Sequence, residues 1–139
     1  MRHRVAFGAD DRNECVTAVV EYLRSVADVE VVEAGDAWPE FSRTVGKKVA
    51  RGEADFGVLM CWTGTGTAIA ANKVRGVRAA QAWEPWIAAS ARRWNDANVL
   101  TLSLKRTAPD VAVECVTAFL SVIESDPDER AAIGQIRDL

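Results

Sequence analysis

Histidine is nearly missing from this sequence: His3 is the only imidazole in 139 residues. That scarcity excludes a multi-histidine metal site. Cysteine is sparse and odd in number, and Cys15, Cys61 and Cys115 lack metal-ligand spacing. They read as reduced thiols, which points to the cytoplasm. No apolar run is long enough to span a bilayer, and the amino-terminal stretch does not have the form of a signal peptide. Basic residues are scattered and the formal net charge is −3. Neither a nucleic-acid footprint nor a polybasic membrane patch follows from such a balance. Repeats and low-complexity linkers are lacking too, so a single domain over residues 1–139 is the expectation.

What is present is an alternation of short apolar runs and amphipathic stretches. "RVAFGAD" (residues 4–10) reads as a strand, and Val16, Val19, Val20 and Leu23 then share one helical face. "VEVVEAG" predicts a second strand ending at Gly35. Phe41, Val45 and Val49 mark a helix with Pro39 near its start. "FGVLMCW" is apolar almost throughout, as a strand covered on both faces is. A short helix over 66–74 follows, then a strand in "VRAAQAW", a helix over 84–95 and a strand in "ANVLTLSL". The last long helix carries Val113, Val116, Leu120 and Ile123 and is expected to break at Asp126-Pro127. Cys15 and Cys115 fall in helices as small packing residues. Arg92-Arg93 reads as a solvated helix end. Five βα units predict an α/β fold: a Rossmann-like three-layer α/β/α sandwich on a five-stranded parallel sheet.

Ligands of such folds sit beyond the carboxyl ends of the strands. Those ends are Asp10-Asp11, residues 35–38, Cys61 to Gly66, Trp83-Glu84 and Ser103 to Arg106. The stretch "CWTGTGT" joins a buried strand to a helix. Gly64 and Gly66 permit a sharp turn and a close backbone approach to a ligand. A helix amino terminus beside them offers N–H groups to an anion, either a phosphate or an enediolate as its charge develops. Cys61 at that positive end could remove a proton from carbon next to a carbonyl. The plainer alternative is a buried cysteine followed by a tight turn.

The stretch "GEADFGVLMCWTGTGTAIAANKVRGVRAA", with "NDANVL" further on, resembles the RpiB/LacA/LacB family of sugar-phosphate isomerases. The family pattern is a strand, then Cys-Gly-Thr-Gly-x-Gly, Ile-Ala-Ala-Asn-Lys, Gly-Ile-Arg-Ala-Ala and later His-Asn-Asp-Ala-Asn-Val-Leu. The resemblance implies a metal-free interconversion of aldose and ketose phosphates, with no cofactor. It also implies a homodimer, in some members a tetramer, with active sites shared between subunits. By position, Cys61 matches the thiol base that moves a proton between C1 and C2, and Thr63 a threonine assisting ring opening. Gly64, Gly66 and Asn72 match the anion-stabilising loop, with Thr65 and Thr67 in the same stretch as substrate-binding candidates, and Asp10 matches the aspartate after the first strand. Lys105 stands where the family has a phosphate-binding arginine, with Arg106 beside it as a second cation. Arg130 matches one carboxy-terminal arginine, and Asn95 belongs to the Asn-Asp motif.

The departures carry chemistry of their own. Asp11 replaces the family histidine after the first aspartate, Trp62 replaces a glycine, and Gly134 stands where a second arginine is expected. Trp94 replaces the ring-opening histidine. An indole N–H donates a hydrogen bond but accepts no proton, so Trp94 cannot open a sugar ring. Three readings follow: an isomerase whose substrate is already open, as a four-carbon sugar phosphorylated at its terminal hydroxyl is; a Cys61-dependent proton-transfer enzyme on a less polar, aromatic-like ligand; or a non-catalytic scaffold. Trp38 and Trp86 occupy positions where the family often has tyrosine.

Overall fold

The computed structural model describes residues 2–32 and 37–139. Five parallel strands form one sheet in the order β2-β1-β3-β5-β4. They are β1 (Arg4–Ala9), β2 (Asp28–Val31), β3 (Phe56–Cys61), β4 (Ala79–Gln81) and β5 (Val99–Ser103). The helices are α1 (Glu14–Val26), α2 (Trp38–Ala50), α3 (Thr65–Asn72), α4 (Pro85–Asn95), α5 (Pro109–Ser121) and α6 (Arg130–Ile136). The expected α/β sandwich is therefore observed.

β3 lies at the centre because its side chains are apolar in both directions. Val58 and Met60 join the core beneath α1, α4 and α5, while Leu59 joins the one beneath α2 and α3. Cys15 and Cys115 are fully buried in the first core and pack there as expected. The chain leaves β1 towards β2 and then crosses to β3 on the other side. The crevice of this fold therefore opens between the carboxyl ends of β1 and β3. Asn13 seals the near side: its carbonyl caps α1 at Val16 N, and its amide reaches Leu104 O at 2.9 Å.

Three sequence expectations change. β2 ends at Val31 rather than Gly35, and residues 33–35 of the expected strand lie outside the described residues. α5 stops at Ser121, before Asp126-Pro127. Arg92 explains that stop, and it is buried rather than solvated. Its guanidinium donates to Phe119 O and Val122 O at 2.5 and 2.6 Å, meeting the unpaired carbonyls at the end of α5. The same cation lies 4.2 Å from the centroid of the Phe56 ring.

Replacing Arg92 by Leu leaves those carbonyls unmet in the interior. The variant is expected to lose about 2–3 kcal/mol of stability, read as a lower midpoint in urea denaturation.

Candidate active site

The β3–α3 loop begins with Cys61, which is 5 % exposed. Its sulfur accepts a hydrogen bond from Gly64 N at 3.2 Å and lies 3.4 Å from Thr67 Oγ1. The loop is held by its carbonyls. Ser103 Oγ donates to Trp62 O at 2.6 Å, Gln81 Nε2 to Thr63 O at 2.6 Å, and Thr101 Oγ1 to Gly64 O at 2.9 Å. A peptide unit is planar and trans, so its C=O and N–H point opposite ways. Pulling Thr63 O towards Gln81 thus turns Gly64 N–H towards the sulfur.

Gly64 has φ +80°, a conformation that costs glycine little, and a Cβ there would lie 3.0 Å from the backbone carbon of Leu102. Gly66 is needed for a different reason: the Trp38 ring lies against it, 3.1 Å from where a Cβ would stand. Thr63 and Thr65 pair through their hydroxyls at 2.7 Å, and Thr65 N donates to Thr63 Oγ1. The amino terminus of α3 faces the same side as the loop, and its first N–H groups have no partners within the helix.

Around this loop stand several residues expected from the sequence. Asp10 N donates to Met60 O, which sets Asp10 at the end of the neighbouring strand with Asp11 next to it. Asp10 Oδ1 is buried without a hydrogen-bond partner. Burial pushes the Asp10 carboxyl above the usual carboxylate range, against a lowering backbone hydrogen bond and with Asp11 adding a smaller push upward. Trp62 is half exposed, and Lys105 Nζ lies 5.2 Å from its ring centroid. A cavity of about 730 Å³ opens beside Asp10 and Asp11, walled by Phe7, Val16 and Phe41.

Four residues expected at the site lie elsewhere in the chain. Strands run from one pole of the sheet to the other, and Trp94 and Asn95 close α4 at the pole opposite Cys61. Trp94 packs edge-on against Trp86, with centroids 5.8 Å apart. Arg130 opens α6, in a segment tied to that same pole by Asp126 N to Arg93 O and by Arg137 to Asp96. Asn72 ends α3, and its amide both donates to and accepts from the Ala79 backbone, at 2.9 and 2.8 Å. Asn72 thus ties the start of β4 and does not join the anion loop of its own chain; with Asn95 it lines a separate cavity of about 360 Å³. His3 precedes β1 at the far pole, its ring against Phe56 at 5.1 Å, at the opposite end of β1 from Asp11.

Sequence reasoning missed Gln81, Thr101 and Ser103 as supports; it set Trp38 at a strand end facing the site, and the structure adds its contact with Gly66. A signal existed: polar residues inside "AAQA" and "VLTLS" interrupt strands that are otherwise apolar.

A family model described as "Ribose/Galactose Isomerase" matches residues 5–136. The chain belongs to that family. This isomerase family member is 36 % identical over 128 residues to ribose-5-phosphate isomerase B of Escherichia coli, covering 84 % of this chain and 83 % of the relative. It is 37 % identical over 119 residues to D-erythrulose-4-phosphate isomerase 2 of Mycolicibacterium smegmatis, covering 84 % and 77 %. Among solved structures, the type B ribose 5-phosphate isomerase of Trypanosoma brucei superposes with a TM-score of 0.88 at 33 % identity, covering 99 % of this chain and 98 % of the other. The isomerase fold, its central β3 and its Cys-Thr-Gly loop thus come together in this chain.

The buried Asp10 carboxyl has a pH signature. A carboxyl raised in the fold binds its proton more tightly there than in the unfolded chain, so the native state is penalised as pH rises through the folded value. Asp10→Asn removes that penalty. Thermal midpoints should therefore show the variant gaining on wild type from about pH 4 upward and levelling off above the folded value.

Proposed function

We propose that this protein interconverts an aldose phosphate and a ketose phosphate that arrive in open-chain form, with Cys61 as the base. The observation that carries the reading is the Gly64 N–H aimed at the Cys61 sulfur at 3.2 Å, in a site with no imidazole of its own. In the forward direction the sulfur takes the proton from C2 of the aldose. The electron pair moves to the carbonyl, leaving an enediolate whose oxygen charge is met by N–H groups at the start of α3. A proton passes from O2 to O1, the sulfur returns its proton to C1, and O2 becomes the new carbonyl. No atom is gained or lost.

Ring opening is the step this chain is not equipped for. Trp94, where the family has its ring-opening histidine, accepts no proton, and the single histidine packs its ring against Phe56. A tetrose phosphorylated on its terminal oxygen has no hydroxyl left to close a furanose, so it needs only the proton transfer. A relative named D-erythrulose-4-phosphate isomerase supports this substrate class. Lys105 is the cation we assign to the phosphate. Its contact with the exposed Trp62 face is worth about 0.5–1 kcal/mol, weak enough for a phosphate to draw the ammonium away. Thr63 holds Thr65 and orders the loop.

The working unit in this reading is a homodimer. Trp94, Asn95 and Arg130 belong to the pole opposite Cys61, so they reach a Cys61 loop only from a second copy. Trp83, Trp86 and Trp94, at 66, 58 and 42 % exposure, supply an aromatic face for that contact. A second reading, proton transfer on a flatter and less polar ligand, is favoured by Trp38 and Trp62 at the rim of the loop.

Wild type is expected to turn over D-erythrulose 4-phosphate, and Cys61→Ala to lose at least about 100-fold in kcat. Equal turnover by the alanine variant overturns the mechanism. A Trp94→His variant is expected to gain roughly tenfold or more in turnover of a cyclic pentose phosphate, measured as kcat/KM against wild type.

A further inference from the structure

Thr67 is fully buried, and its hydroxyl has two partners within reach but only one proton to give. Gly64 O lies 3.2 Å away and Cys61 Sγ 3.4 Å. A threonine inside a helix ordinarily spends its proton on a carbonyl one turn back, here Gly64 O. That carbonyl already receives the hydroxyl of Thr101, which is also fully buried, at the shorter distance of 2.9 Å. Leaving Gly64 O is therefore cheap for Thr67, because the oxygen keeps a donor.

We infer that Thr67 is a rotating donor that follows the proton on Cys61, and that Thr101 is the positioning residue that frees it to do so. With Cys61 as a thiol, S–H donates to Thr67 Oγ1 and the Thr67 hydroxyl donates to Gly64 O. When the sulfur has given up its proton it becomes an acceptor, and the Thr67 O–H turns to it beside the Gly64 N–H. When the sulfur takes a proton from substrate carbon, the hydroxyl turns back. Each state leaves every polar atom of the group paired, which is what a buried site demands. The charged groups on the surrounding elements are Asp10 and Asp11 beyond β1, Lys105 and Arg106 beyond β5, Glu84 beyond β4, and Glu40, Arg43, Lys47 and Lys48 on α2, and none is altered by changing either threonine.

The inference rests on the reading of Cys61 as the base, but its test does not require turnover. The measurements are ultraviolet thiolate absorbance at neutral pH, taken against Cys61→Ala, and the iodoacetamide alkylation rate of the Cys61 peptide by mass spectrometry. Thr67→Val, folded by circular dichroism, is expected to lose thiolate signal and to alkylate about tenfold more slowly, since a hydrogen bond to a charged acceptor is removed. Thr67→Ser is expected to restore both. Thr101→Val should act in the same direction, because Gly64 O then competes for the Thr67 proton. Thr67→Val with wild-type absorbance and rate overturns the inference; should that variant not fold, an unchanged Thr101→Val does so instead. Inactive wild type with these thiol changes intact sinks the isomerase reading and leaves the donor assignment standing.

Discussion

Everything at this site depends on where three consecutive carbonyls point. Trp62, Thr63 and Gly64 each hand their oxygen to a side chain on β4, β5 or α3. Each such bond contributes only about 1 kcal/mol net. Together they offset part of the cost of ordering the loop, about 1–2 kcal/mol per residue, while glycine removes the steric strain of its left-handed turn. Because peptide units are rigid, fixing the oxygens also fixes the opposing N–H groups. One of them meets the Cys61 sulfur. The geometry of the Cys61 loop is thus set from behind, by Gln81, Thr101 and Ser103 on the neighbouring strands.

The same sheet that steadies the loop also limits it. Parallel strands deliver all their carboxyl ends to one pole, which gathers Asp10, Asp11, Cys61 to Thr67 and Lys105. Helices return the chain to the other pole, which is where Trp94, Asn95 and Arg130 lie. A single copy therefore keeps these two groups of residues at opposite ends of the sheet. Buried Arg92 stabilises that far pole: it ends α5, stacks on Phe56 and Phe119, and stands two residues from Trp94. Asp10 illustrates the opposite trade, a carboxyl buried with one oxygen unmet, which lowers stability at a place where chemistry is expected.

Much of this was legible beforehand. The apolar run through β3, the helical spacing of α1, α2 and α5, and the prolines opening α2, α4 and α5 are local signals and need no partner. The Cys-Thr-Gly loop was legible for the same reason, since its glycines mark a turn at Gly64 that few other residues adopt and a close approach at Gly66. Gln81, Thr101 and Ser103 were not. Their role comes from a carbonyl some twenty to forty positions away in the chain, and no local pattern names such a partner. Arg92 misled for a related reason: two adjacent arginines at a helix end look solvated until a neighbouring helix end is known to need a donor.

By itself the sequence determined the kinds of element, the alternation of strands and helices, the loop chemistry and the loss of the family's imidazoles. These follow from spacing and side-chain type. Tertiary structure alone decided the strand order, the anchoring of the loop and the separation of Trp94, Asn95, Arg130 and Asn72 from Cys61. Those are long-range pairings, chosen by which buried faces and unmet polar groups satisfy one another once the chain has closed on itself.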